Sequence, residues 1–263
     1  TESSNIALSR FDQRLNDGRP ISISAAQQIS IEFDPEVILY RPVPDNTALH
    51  DLAMSVIDEL DTPLITWIVD DWPTRLVKDN SAKAGRLEAD LQHLLKQSQI
   101  CLSICDAMSQ TFKARYGVTF RAFANAVSPD DWQNAPHAGD PPDSPFLIRY
   151  SGALADNMTR ESVLDVARAV EDLANEFSIT FEINTQPHWF DQVKNNLSEL
   201  KNTRVSTKSL TRNEYRTWLQ GAESVLIAYN FDLRSMDYVR YSMANKMPEC
   251  LASGAAVPVA RPD

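Results

Sequence analysis

The chain has 263 residues, 43% of them hydrophobic and 23% charged, with a formal net charge of −11. That length suits one large domain or two modest ones, each able to bury its own core. The acidity excludes general nucleic-acid binding, which needs a cationic excess to neutralise phosphates, but leaves room for a local basic pocket that takes a small anion.

Residues 1–20 are polar and read as a lead-in. "ISAAQQISIEF" predicts a helix and "PEVILYRP" a short buried strand from Val37 to Tyr40. "DNTALHDLAMSVIDEL" predicts a helix capped by Asn46 or Thr47, with Leu49, Leu52, Ala53, Val56, Ile57 and Leu60 at helical spacing. "PLITWIV" is a second strand that stops at Asp70-Asp71-Trp72-Pro73. A helix over "KAGRLEADLQHLLKQS", a strand over "QICLSIC", a helix "DAMSQTFKARYG" stopped by Gly117 and a strand in "TFRAFANAV" follow. Helices alternating with apolar strands imply a parallel sheet covered on both faces.

Residues 128–145, "SPDDWQNAPHAGDPPDSP", lack apolar periodicity and read as a linker. The alternation then restarts: strand "FLIRYSG", helix "TRESVLDVARAVEDLANEF", strand "SITFEIN", helix "PHWFDQVKNNLSEL", strand "TRVSTKS". Next come a helix "TRNEYRTWLQGA", opened by a Thr211/Glu214 capping box, and a strand "SVLIAYN". The division is therefore 1–127, a linker 128–145, and 146–263: two doubly wound domains facing a cleft, the default ligand site.

The three cysteines form no CxxC pair and read as buried thiols in a reducing, cytoplasmic setting. The four histidines are scattered, so no metal site is expected. No run approaches the ~20 apolar residues of a membrane span, and the polar start is not a signal peptide; peripheral membrane contact stays open.

The densest functional signal is "KMPECLASGAAVPV". Pro248 fits only a first helical turn, Gly254 reads as the helix stop, and Ala255–Ala260 as a following strand. Lys246 and Glu249 share a face of this helix of about two turns. A cation at a helix start suits a diphosphate, and a carboxylate one turn on matches the paired hydroxyls of a ribose. The plainer reading is an exposed intrahelical ion pair of about 0.3–0.5 kcal/mol.

This segment resembles the donor site of retaining glycosyltransferases with the two-domain GT-B fold, family 4 (glycosyl transferases group 1) and its relatives. "ICLSICDAMSQTFKARYGVTFRAFANAVS" is similar to that family's strand, helix and Asn-Gly-Val-Asp turn, with Asn125 at the Asn. "FLIRYSGAL" resembles the first donor-domain strand, with Gly152 in the turn that approaches the diphosphate, and "LTRNEYRTWLQGAESVLIAYN" the helix and strand before the donor loop. The likeness covers roughly residues 30–263.

The resemblance implies an α/β fold of two Rossmann-like doubly wound domains, with the N-terminal one incomplete and the chain short at both ends, as a piece of a longer chain or complex would be. It implies transfer of a sugar from a nucleotide-diphosphate donor to a hydroxyl acceptor on a glycan, lipid or protein, without metal or other cofactor. Tyr241 stands where the family has an upstream Glu, and only Arg160 is basic in "GALADNMTRES", so Lys246 would supply the missing cation. Tyr241, Ser242 and Asn245 belong to the expected donor-binding set with Gly152, Lys246 and Glu249.

Asp70 and Asp71 stand where the family has a His-Asp pair and are the candidate catalytic carboxylates, one expected to work in the cleft and the other to cap "DDWPTR". Asp70 falls where the His would lie. Arg41 would face an anionic acceptor or phosphate, or form a surface ion pair. Asn125 is a turn former or a ligand contact. His188 and Trp189 flank the base or serve the core, while Met243 and Met247 are packing residues. Two other readings share the architecture: a non-catalytic binding or partner module, and a sugar-nucleotide epimerase.

Overall fold

A computed structural model of the chain describes residues 23–42, 44, 46–132 and 144–258. The polar lead-in, most of the 128–145 stretch and the end of the 255–260 strand lie outside the described residues. The chain forms two units, Thr1–Ala124 and Asn125–Asp263.

In the first unit, β1 (Ile38–Tyr40), β2 (Leu64–Ile68), β3 (Ile100–Ser103) and β4 (Phe120–Ala122) lie side by side in chain order, all parallel. The described helices are α1 (Ile23–Phe33), α2 (Thr47–Glu59), α3 (Trp72–Lys78), α4 (Ala84–Gln97) and α5 (Asp106–Tyr116). Leu87, Leu91, Leu94 and Leu95 of α4 recur at helical spacing and are buried, as are Met108 and Phe112 of α5. Asn46 is the cap of α2: its side chain accepts from the Leu49 N–H at 3.1 Å. Gly117 ends α5 at φ 73°, a left-handed backbone that costs glycine little.

One helix is absent from the reading of the sequence. The run after β2 is not a mere turn, because Asp71 accepts from the Thr74 N–H at 3.2 Å and starts α3, with Pro73 in the first turn, where its missing N–H costs nothing.

In the second unit, β5 (Phe146–Ser151), β6 (Ile179–Asn184), β7 (Thr203–Ser206) and β8 (Ser224–Val225) form a parallel sheet of order β7-β6-β5-β8. The chain runs outward from β5 to β7 and then crosses back to β8 on the other side of β5. That reversal lets helices cover both faces. Ile148 and Tyr150 of β5 join one buried cluster with α6 (Arg160–Leu173) and α7 (Pro187–Leu197). Val225 joins another with α8 (Arg212–Gln220) and α10 (Met247–Ala252). The capping box of α8 is complete, with Thr211 and Glu214 each accepting from the other's backbone.

Two expectations need correction here. "SVLIAYN" pairs with β5 only at Ser224 and Val225, and the following residues are irregular. The donor loop contains a further helix, α9 (Leu233–Val239), capped by Asp232. Gly254 has φ 82° just past α10, and Ala256 then bridges to Ser224 in parallel.

Candidate functional site

The carboxyl ends of β5, β6 and β7 open into a cavity of about 590 Å³ in the second unit. Its lining includes Ser151, Gly152, Thr185, Tyr215, Lys246 and Glu249. This is where an open parallel sheet offers a site, because the strands end and the loops diverge around the reversal.

The strand ends are tied together by side chains. Thr185 Oγ1 donates to the Gly152 carbonyl at 2.7 Å, and Asn184 Nδ2 donates to the Lys208 carbonyl at 3.1 Å. Gly152 is required sterically: a Cβ there would lie 2.8 Å from the Tyr150 hydroxyl. That hydroxyl donates to the Ala153 carbonyl at 2.6 Å, and burial pushes the phenol up to about 12, so it remains a donor.

Lys246 precedes α10 and projects to the end of β5, where its Nζ donates to Ser151 Oγ at 2.7 Å. The ammonium also sits 4.8 Å from the centre of the Tyr215 ring, within cation–π range. Among the described residues no carboxylate lies within salt-bridge distance of it, so the intrahelical pair with Glu249 does not form. Other cations of the lining are already paired: Lys208 with Glu214 at 2.9 Å and Arg212 with Asp131 at 2.6 Å. Burial lowers the Lys246 pKa, opposed by the nearby Glu249 charge. Since α10 has only six residues, the positive character here belongs to the ammonium more than to a helix dipole.

The candidate residues fall into separate groups. Gly152, Lys246 and Glu249 share the cavity. Tyr241, Ser242 and Asn245 are not among its lining residues. Asn245 is exposed and accepts from Asn125 Nδ2 at 2.8 Å, which ties Asn125 to the segment between α9 and α10. Ser242 belongs to the turn after α9, its N–H donating to the Val239 carbonyl at 2.9 Å.

In the first unit Arg41 lies 3.5 Å from Asp70, with side chains 50% and 33% exposed, so the ion pair is weak and solvent-screened. Asp71 must leave the catalytic set. Its side chain is 3% exposed, and Arg115 binds its two oxygens at 2.9 and 3.2 Å, in addition to the helix cap. A carboxylate so engaged holds α3 against α5, and its near-complete burial keeps it from an acceptor hydroxyl.

Sequence reasoning missed Ser151, Thr185 and Tyr215. The first two were reachable, because they end or directly follow predicted strands. Tyr215 lies on a helix with no local mark of function, although its spacing from Trp218 puts both rings on one face. His188 stacks near Trp189 at 4.6 Å, and Trp189 both lines the cavity and packs on the core. No group of three or more His, Cys, Asp or Glu among the described residues could hold a metal, and no described helix is long and apolar enough to cross a membrane.

No protein-family model and no curated protein matches the chain. Solved structures do match it. An alpha,alpha-trehalose-phosphate synthase (UDP-forming) from Burkholderia vietnamiensis is similar at 12% identity and TM-score 0.63, over 88% of this chain and 60% of that one. The Anabaena protein HepE, solved in complex with UDP-glucose, is similar at 10% identity and TM-score 0.64, over 89% and 62%. TarM is similar at 12% identity and TM-score 0.59, over 89% and 43%. The chain thus spans about 60% of the length of the first of these structures. At such identities the likeness concerns architecture: the chain has an α/β fold of the GT-B kind, with two parallel four-stranded sheets, which it shares with glycosyltransferases.

Proposed function

We propose that the chain is a glycosyltransferase, or the larger part of one, whose second unit binds a nucleotide-diphosphate sugar in the β5–β7 cavity. The observation that carries this reading is the Lys246 ammonium, half-buried in that cavity with no carboxylate within salt-bridge distance among the described residues. A cation taken partly out of water without a counter-ion is unfavourable until an anion arrives, and a diphosphate supplies one. During transfer the bond between sugar and diphosphate breaks, and negative charge grows on the leaving oxygen. A fixed ammonium stabilises that charge more in the transition state than in the bound donor. This role needs no metal.

Glu249, in the same cavity, is an acceptor suited to the ribose hydroxyls. Gly152 allows the backbone at the end of β5 to approach the phosphates. On the first unit we assign Asp70, with Arg41 beside it, to the acceptor side. A UDP-forming synthase and a protein solved with UDP-glucose, both similar in architecture, make UDP the first ligand to try.

The test is calorimetric titration with UDP, GDP, ADP and dTDP, followed by variants. Lys246→Ala and Glu249→Ala should each weaken the best nucleotide by about ten- to a hundredfold, the worth of one charge-assisted hydrogen bond. Unchanged affinity in Lys246→Ala overturns the assignment, and unchanged affinity in Glu249→Ala removes the ribose role.

A further inference from the structure

The side chains beneath Lys246 form a row. Arg149 and Ser151 are alternate residues of β5 and therefore point to the same face of the sheet, the one that α8 covers. The Arg149 guanidinium lies 5.1 Å from the centre of the Trp218 ring. Trp218 stacks with Tyr215 at 6.3 Å between centroids and 27° between planes. The Lys246 ammonium lies 4.8 Å from the centre of the Tyr215 ring. Each ring of the stacked pair thus has one cation against it. The two cations differ in how their charge is met, since Arg149 pairs with Glu182 at 2.9 Å and also donates to the Trp218 carbonyl, whereas Lys246 meets Ser151 Oγ and the ring and, among the described residues, forms no salt bridge.

An ammonium has three N–H donors. Ser151 takes one and the ring face another, leaving the third for a ligand in the cavity. The lysine stem is flexible, and Glu249 stands one turn along the same helix, close enough to act on the Lys246 charge. Without the ring, the nearest rest position for the ammonium is a private ion pair with Glu249, which would occupy both groups. The buried Tyr215 hydroxyl lies beside Ser151 and Glu249, which act on it in opposite directions, while the ring face is the part that meets Lys246.

We infer that Tyr215 is a positioning residue: its ring face, backed by Trp218, holds Lys246 toward the cavity and away from Glu249, so that cation and carboxylate both stay open to a nucleoside diphosphate. This rests on the donor-site reading above, and one experiment separates the two. UDP and inorganic pyrophosphate are titrated by calorimetry into the wild type, Tyr215→Leu, Tyr215→Phe, Lys246→Ala and the Leu/Ala double variant, with unfolding midpoints measured for each. Tyr215→Leu should weaken both ligands by about tenfold, in the range of a partly desolvated cation–π contact. Phe should restore affinity to within about twofold of the wild type. Leu should cost nothing further once Lys246 is Ala, because Tyr215 acts through that residue. Should the leucine variant fail to fold, Tyr215→Met keeps the volume without the π face, and the same result is expected of it. If Leu or Met binds as the wild type does, if Phe loses as much as Leu, or if the Leu and Ala losses add, the inference is overturned while the site stands. If Lys246→Ala is without effect, both fall.

Discussion

Adding one methyl group at Gly152 tests whether the tip of β5 is built as described. A Cβ there would lie 2.8 Å from the Tyr150 hydroxyl and 3.1 Å from its Cζ, both inside normal contact distance. The ring cannot swing aside, since Tyr150 is 5% exposed and packed among Leu154, Val163 and Phe181. Its hydroxyl is also anchored on the Ala153 carbonyl. Overpacking of this kind costs about 1–3 kcal/mol, and loss of the phenol hydrogen bond adds about 1. The Ala153 carbonyl would not be orphaned, because Thr159 Oγ1 also donates to it at 2.7 Å. Gly152→Ala should therefore cost roughly 2–4 kcal/mol and lower the melting midpoint by about 5–15 °C. Tyr150→Phe removes the atom at 2.8 Å, so in calorimetric melts the double variant should be at least about 1 kcal/mol more stable than the sum of the singles. Additive losses, or a Gly152→Ala melt within about 0.5 kcal/mol of the wild type, would refute the steric argument.

Three further predictions address charge. Asp71→Ala removes a cap and a nearly buried partner of Arg115, and should cost about 3 kcal/mol by denaturant unfolding; Asp71→Asn keeps the cap and should cost about half of that. The Thr211 backbone, then Lys208, hold the Glu214 carboxyl at about 2, down from 4.5, so the capping box contributes fully above about pH 4.5 and is lost as pH falls toward about 2. Melts of Glu214→Gln should lose this acid dependence and converge on the wild type at the acid end. Because burial lowers the Lys246 pKa, its cation disappears below the ordinary lysine range near about 10.4. UDP affinity should fall over that alkaline limb, with proton uptake on binding, and Lys246→Arg should remove the limb. Affinity that is flat to pH 10 in the wild type would contradict it.

Local features were legible in the sequence, because each is decided within a few residues. The Asn46 cap, the Thr211/Glu214 box, the φ-positive stops at Gly117 and Gly254, and the alternation of apolar strands with amphipathic helices are of this kind. The start of α3 was obscured by Asp-Trp-Pro, which reads as a turn although proline is welcome in a first turn. β8 is shorter than its apolar run because its ladder with β5 closes with the Leu226 N–H on the Arg149 carbonyl, after which the chain turns away. At the site, the visible relation was the one between Lys246 and Glu249. The partners that matter more, Ser151 on β5 and Tyr215 on α8, come from elsewhere in the chain, Ser151 from 95 residues away, and only the folded sheet brings them together. Asp71 and Arg115, 44 residues apart, show the same limit: neighbouring carboxylates looked alike until one proved to be held inside the fold.

The proposed role of Lys246 is to receive a diphosphate at the end of β5, where its ammonium has no salt bridge among the described residues. A crystal structure of the protein with UDP tests it most directly. The account predicts a β-phosphate oxygen within hydrogen-bonding distance of Lys246 Nζ and the ribose hydroxyls on the Glu249 carboxylate. Density for UDP elsewhere, with Lys246 still turned only to Ser151 and Tyr215, would contradict it.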